Sequence, residues 1–135
     1  MTDQEKPRIL MFVEDEPDIV DLYTIAFEQA GFVVAAVMTG NDALKKLEEF
    51  VKEDVERPNA MILDILLPDI SGMDVLRAAR ANHIFDNTPV IMFTNFSSDK
   101  IKEEIQAMPN TRYLLKMDIT PDKLVGIVKE MLHIA

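Results

Sequence analysis

Five short apolar runs, each followed by a stretch of helical periodicity, constrain this chain more than any other feature. They begin at Ile9 (ILMFV), Phe32 (FVVAAV), Ala60 (AMIL), Pro89 (PVIMFT) and Tyr113 (YLL). Each is too short for a helix and apolar enough to be buried on both faces, as strands of a parallel sheet are. Between them, Ile19, Leu22, Tyr23, Ala26, Phe27 and Ala30 recur at the spacing of one helix face, with Pro17 suited to the first turn and Gly31 to the stop. Ala43, Leu44, Leu47, Phe50 and Val51 line a second helix, where Thr39 with Asp42 three residues on has the form of a capping box, and the polar stretch KEDVERPN ends it. Met73, Leu76 and Ala79 mark a third helix after Gly72. Ile101, Ile105 and Met108 mark a fourth, capped by Ser97 or Ser98 and broken at Pro109 and Asn110. Leu124, Ile127, Val128, Met131 and Leu132 mark a fifth, opened by Thr120 and Pro121, with Gly126 inside it at a cost of about 1 kcal/mol relative to Ala. This alternation predicts an α/β fold whose parallel sheet is covered by helices on both faces.

Composition narrows the function classes. At 135 residues and 48% hydrophobic residues, the chain is the size of one domain spanning residues 1–135, with no room for an attached output domain. Acidic residues outnumber basic ones by 24 to 14, a net charge of −10 that opposes binding to nucleic acid or anionic membranes and favours protein partners or cations. With no cysteine there is neither a disulfide frame nor a thiolate metal site. The polar start MTDQEKPR and the absence of any membrane-length apolar run point to a soluble, cytoplasmic protein.

In open α/β sheets ligands bind beyond the carboxyl ends of the strands, near the reversal of strand order. Those ends carry Glu14 and Asp15, then Asp64, then Thr94, then Lys116. Three carboxylates in one crevice raise one another's pKa unless a cation joins them, and oxygen-only ligands suit a hard ion such as Mg²⁺. Lys116 and Thr94 add donors, expected on the side away from the metal carboxylates, where a phosphoryl group on Asp64 would need them. A carboxylate can attack phosphorus to form an acyl phosphate while metal and lysine stabilise the charge on the transferring oxygens. Each residue also has a plainer reading: the EDE run as a solvated helix start, Asp64 as a turn residue, Thr94 as a strand-end hydroxyl, Lys116 as a surface lysine, Tyr113 as packing, and the nine methionines as core filling.

Taken together, VEDEPD after the first strand, LDILLPDISG around the third, PVIMFT at the fourth and YLLK at the fifth resemble a response-regulator receiver domain, similar in layout to the stand-alone chemotaxis-type regulators. The resemblance runs from Ile9 to the last helix. It implies a flavodoxin-like (βα)5 fold with strand order 2-1-3-4-5. It further implies that Asp64 is the phosphoacceptor, that Glu14, Asp15, Asp64 and the Leu66 backbone carbonyl hold Mg²⁺ or Mn²⁺, that Lys116 binds the phosphoryl group or the acceptor carboxylate, and that Thr94 and Tyr113 form a switch pair. The implied partners are a histidine kinase or phosphotransfer protein and a downstream protein bound by the switched face of the fourth helix, fifth strand and fifth helix. A phosphorylation-dependent dimer through the last helix and strand stays open, since Gly126 permits close approach. The competing readings are a phosphorylation-independent adaptor of the same fold, a metal-dependent phosphatase and a flavodoxin-type electron carrier, the last opposed by an acidic first loop that would repel a phosphate.

Two departures from the family pattern stand out. Met117 follows Lys116 where the family usually has a cis proline, so a trans bond and an altered loop are expected, because a non-proline cis bond costs about 2.5–4 kcal/mol. Asn95, larger than the usual Ala or Gly, is expected to hinder entry of small phosphodonors. Leu66 and Phe96 lie two residues beyond Asp64 and Thr94. Neither has a side chain able to orient an attacking water, which predicts a long-lived acyl phosphate.

Overall fold

The computed structural model describes residues 6–52 and 55–135. Part of the polar start of the chain and two residues of the polar stretch after the second helix lie outside them. Five strands, β1 (Arg8–Val13), β2 (Phe32–Val37), β3 (Ala60–Leu63), β4 (Val90–Thr94) and β5 (Thr111–Leu115), alternate with five helices, α1 (Pro17–Gln29), α2 (Gly40–Lys52), α3 (Gly72–Arg80), α4 (Asp99–Gln106) and α5 (Pro121–Met131). The strands form one parallel sheet in the order β2-β1-β3-β4-β5, the expected flavodoxin-like arrangement. Among the described residues, the 3-10 turns His83–Phe85 and Lys116–Asp118 leave no mark in the apolar periodicity.

Strand side chains alternate between two cores because successive Cβ atoms point to opposite faces. Met11, Val13, Met61, Leu63, Val90 and Met92 face α2, α3 and α4, whereas Leu10, Phe12, Ile62, Ile91 and Phe93 face α1 and α5. On the second face Tyr23 stacks against Phe93 with its ring edge, and its hydroxyl donates to the Ile119 carbonyl at 3.1 Å, tying α1 to the segment before α5. The expected caps form: Ser98 Oγ accepts from Ile101 N at 3.2 Å, Thr120 Oγ1 from Lys123 N at 3.3 Å, and Thr39 Oγ1 from Asp42 N at 3.1 Å.

The end of the sheet away from the strand carboxyl termini is closed by Arg80. Its guanidinium donates to the carbonyls of Phe85, Thr88 and Asn110 at 2.8–2.9 Å and to Thr111 Oγ1 at 3.0 Å, joining α3 to the segments that lead into β4 and β5. Among the described residues no helix is long and apolar enough to cross a membrane.

Two glycines predict opposite responses to alanine. Gly72 lies so near the Asp64 carbonyl that a Cβ would collide with backbone, whereas a Cβ on Gly126, exposed in α5, meets nothing within 4 Å. Urea unfolding is expected to give a loss of about 3 kcal/mol or more for Gly72→Ala and a gain of about 0.5–1 kcal/mol for Gly126→Ala.

Candidate functional site

Register brings the acidic residues together. Val13 pairs with Leu63, so Glu14 and Asp64 leave adjacent strands at the same level, on either side of the point where the chain order reverses. The ladder continues one step beyond the strands, with Glu14 N donating to the Val37 carbonyl and Asp64 N to the Val13 carbonyl, each at 3.0 Å. Thr94 pairs with Leu115, which sets Lys116 one residue further along β5. Glu14 is fully buried and Asp64 is 4% exposed.

The Lys116 ammonium lies between the two carboxylates. It donates to Asp64 Oδ2 at 2.7 Å, touches Glu14 Oε1 and comes within 3.9 Å of Glu16. The contact with Asp64 is one of the two expected for Lys116, whereas the contact with Glu14 differs from the expectation that Lys116 would stand away from the metal carboxylates: one positive charge is shared between two negative ones, because the long side chain reaches from the end of β5 past β4 to the ends of β3 and β1. Burial pushes the Glu14 carboxyl above its ordinary value, against the opposing pull of Lys116. Burial also works against the charge of Lys116, but its hydrogen bond to Asp64 and its close ion contact with Glu14 outweigh that and hold the ammonium above its ordinary value.

Oxygen atoms of Glu14, Asp15 and Asp64 all lie within 4.8 Å of one another, close enough to share one ion. The donor set fits a hard cation. Glu14 supports the same fit: its Oε2 accepts from Glu16 N at 3.1 Å, while its buried Oε1 touches the ammonium without a well-directed hydrogen bond. Leu66 N donates to Asp64 Oδ1 at 3.2 Å, which places the Leu66 backbone beside that carboxylate. The Leu66 side chain is 57% exposed at the rim.

Thr94 is buried, and its hydroxyl accepts from Phe96 N at 3.1 Å. The Tyr113 hydroxyl donates to the carbonyl of the same Phe96 at 2.7 Å, and the Lys102 ammonium lies 5.3 Å from the Tyr113 ring centre. The two hydroxyl side chains thus hold the donor and the acceptor of one residue. Asn95 and Met117 also prove to be connected, since Asn95 Oδ1 accepts from Met117 N at 3.0 Å. No peptide bond among the described residues is cis, so the Lys116–Met117 bond is trans, as expected, and the loop it opens is a 3-10 turn.

A family model described as the response regulator receiver domain matches residues 10–129. The chain belongs to this family. It is 34% identical over 92 residues to the DNA-binding response regulator MtrA of Mycolicibacterium smegmatis, a match covering 68% of this chain and 36% of that protein. It is 31% identical over 124 residues to the regulatory protein VanRc of Enterococcus gallinarum, covering 92% of this chain and 49% of that one. The chain therefore spans about a third to a half of the length of these relatives. Among solved structures, the signal receiver domain of a protein described as a Luxo repressor from Vibrio parahaemolyticus superposes with a TM-score of 0.80 at 29% identity, over 95% of this chain and 92% of that one. Receiver domains are signalling modules of phosphorylation-based two-component systems rather than enzymes in the ordinary sense. They bind Mg²⁺ at an acidic pocket, and Glu14, Asp15 and Asp64 form such a cluster here.

Every side chain named from the strand ends lies at this edge of the sheet. What the sequence did not reveal is the use of backbone at Phe96 and the joining of Asn95 to Met117. A backbone acceptor leaves no mark in residue identity, and a hydrogen bond across 22 residues depends on the packing of two loops.

Removing the ammonium exposes the electrostatics of the site. Lys116→Met leaves Glu14 and Asp64 without their shared cation and is expected to cost roughly 1–3 kcal/mol at neutral pH. Glu14 has a folded-state pKa above its ordinary 4.5, and loss of Lys116 moves it further up. The folded variant therefore takes up a proton before the unfolded chain does and regains stability as pH falls through that window. Urea unfolding across this range should show the difference from wild type shrinking towards acid; a difference independent of pH contradicts the assignment.

Proposed function

We propose that Asp64 accepts a phosphoryl group from the phosphohistidine of a histidine kinase or phosphotransfer protein in a cytoplasmic His-Asp relay. The observation that carries this reading is the buried Asp64 carboxylate held at 2.7 Å from Lys116, with Glu14 and Asp15 within ion-sharing distance. A carboxylate oxygen of Asp64 attacks phosphorus, the P–N bond breaks, and the donor imidazole departs and takes up a proton from solvent. The product is an acyl phosphate. Glu14, Asp15, Asp64 and the Leu66 carbonyl would hold Mg²⁺ or Mn²⁺, and the ion, when bound, offsets charge on the phosphoryl oxygens. Lys116 supplies the remaining cationic contact to the new phosphoryl group while staying near Glu14.

Signalling follows from the same geometry. In the unphosphorylated state the Thr94 hydroxyl is engaged with Phe96 N and the Tyr113 hydroxyl with Phe96 O. The phosphoryl group brings new acceptor oxygens next to Thr94. Once the Thr94 hydroxyl turns to donate to them, Phe96 loses one of its two anchors, and Tyr113 is freed to move inward. The α4–β5–α5 face is thereby reshaped for a downstream protein. Retention of both Asp64 and Lys116 separates this reading from a phosphorylation-independent adaptor.

Incubation with acetyl phosphate and Mg²⁺ is expected to add one phosphoryl mass to the wild-type chain and none to Asp64→Asn. Equal labelling of both, or none of wild type with either acetyl phosphate or a phosphohistidine donor, contradicts the reading. Decay offers a second check. Leu66→Asn with Phe96→Glu gives water a hydrogen-bonding partner at the rim and is expected to shorten the acyl phosphate lifetime by roughly tenfold. A wild-type decay no slower than the variant's contradicts the expectation of a long-lived state.

A further inference from the structure

The loop between Asp64 and α3 is fastened at two points. At its base, Gly72 N donates to the Ile65 carbonyl at 2.8 Å and the Gly72 backbone packs directly on that of Asp64. At its apex, the Asp69 carboxylate reaches across to the first turn of α2. Oδ1 accepts from Gly40 N and Oδ2 from Asn41 N, both at 2.8 Å. The amides of Asn41 and then Gly40 hold the Asp69 carboxyl below its ordinary range.

Two observations separate this contact from an ordinary helix cap. First, α2 already has a local cap, since Thr39 Oγ1 takes the amide of Asp42. Second, Gly40 is buried, and the space its Cβ would occupy is filled by Ile70, with Asp69 Oδ1 beside it. Helix and loop are therefore shaped to each other. Between the two fastenings lies Leu66, whose amide already holds Asp64 Oδ1.

We propose that Asp69, seated on Gly40 and Asn41, is a latch that sets the position of the Asp64–Leu66 segment, and so acts as a positioning residue for cation binding without touching the cation itself. The inference rests on the assignment of Asp64 and the Leu66 carbonyl as cation ligands. The latch keeps those two oxygens from having to be ordered when the ion arrives. Without it, the loop stays tied at Gly72 but swings at its apex, and affinity falls while the fold remains.

The test is Mg²⁺ titration of the full chain by calorimetry, with amide exchange at residues 40 and 41 followed by NMR. Asp69→Ala is expected to weaken Mg²⁺ binding by about tenfold, in the range seen when groups that orient metal ligands are lost. Asp69→Asn, which keeps one acceptor, should fall between it and wild type. Gly40→Ala, which pushes Ile70 and Asp69 away, should weaken binding in the same direction, and the double variant should be no worse than the poorer single variant, because both remove one contact. Thr39→Ala is the control: it weakens the start of α2 without releasing the loop, and its Mg²⁺ affinity should equal that of wild type. Unchanged affinity in Asp69→Ala, or an equal loss in Thr39→Ala, overturns the latch. A wild-type chain that binds Mg²⁺ no better than Asp64→Asn contradicts the assignment of the cation ligands and takes the latch down with it.

Discussion

One ammonium shared between two buried carboxylates is the interaction on which the rest of this structure turns. A fully buried Glu14 and a nearly buried Asp64 repel across the gap between β1 and β3, and burial disfavours the charge on Glu14. Lys116 satisfies both at once, yet its contact with Glu14 Oε1 lacks good direction. Asp15 adds a third carboxylate that this lysine does not balance. The free protein thus holds an electrostatic demand that a hard cation would meet well, beside the carboxylate proposed as the phosphoacceptor.

The fold supplies the positions with little help from the loops. Parallel pairing of Val13 with Leu63 and of Thr94 with Leu115 delivers Glu14, Asp64 and Lys116 to one edge, and the two cores on either side of the sheet keep that register from slipping. The loops then do what strands cannot. They bring backbone groups near the carboxylates, as Leu66 N does for Asp64, and their own backbone is held from the strands, as Phe96 is by Thr94 of β4 and Tyr113 of β5.

This division explains what could be read from the sequence. Strands of four to six mostly apolar residues ending in polar side chains are visible in residue order, so the five alternations, the strand-end carboxylates, the hydroxyl and the lysine were all legible. The placement of Lys116 between Glu14 and Asp64 was not, because it depends on how far a flexible side chain reaches. Asp69 stood out only as one letter of the stretch LDILLPDISG, and its partners on α2 lie 28 and 29 residues away. Asn95 was legible as an unusual size beside the pocket, but its carboxamide is committed to Met117 N in the neighbouring loop. Gly40, likewise, is explained by Ile70 and not by anything adjacent in sequence.

If Asp64 carries the phosphoryl group in a site built from Glu14, Asp15, Lys116 and Thr94, a mimic of that group must find the same partners. A crystal structure grown with Mg²⁺ and beryllofluoride, a phosphoryl mimic, tests it most directly. The adduct is expected on Asp64, the ion on Glu14, Asp15, Asp64 and the Leu66 carbonyl, Lys116 and the Thr94 hydroxyl turned to the fluorides, and the bond from Phe96 N to Thr94 broken. An adduct absent from Asp64, or one bound there with Lys116 and Thr94 still in their present contacts, would contradict it.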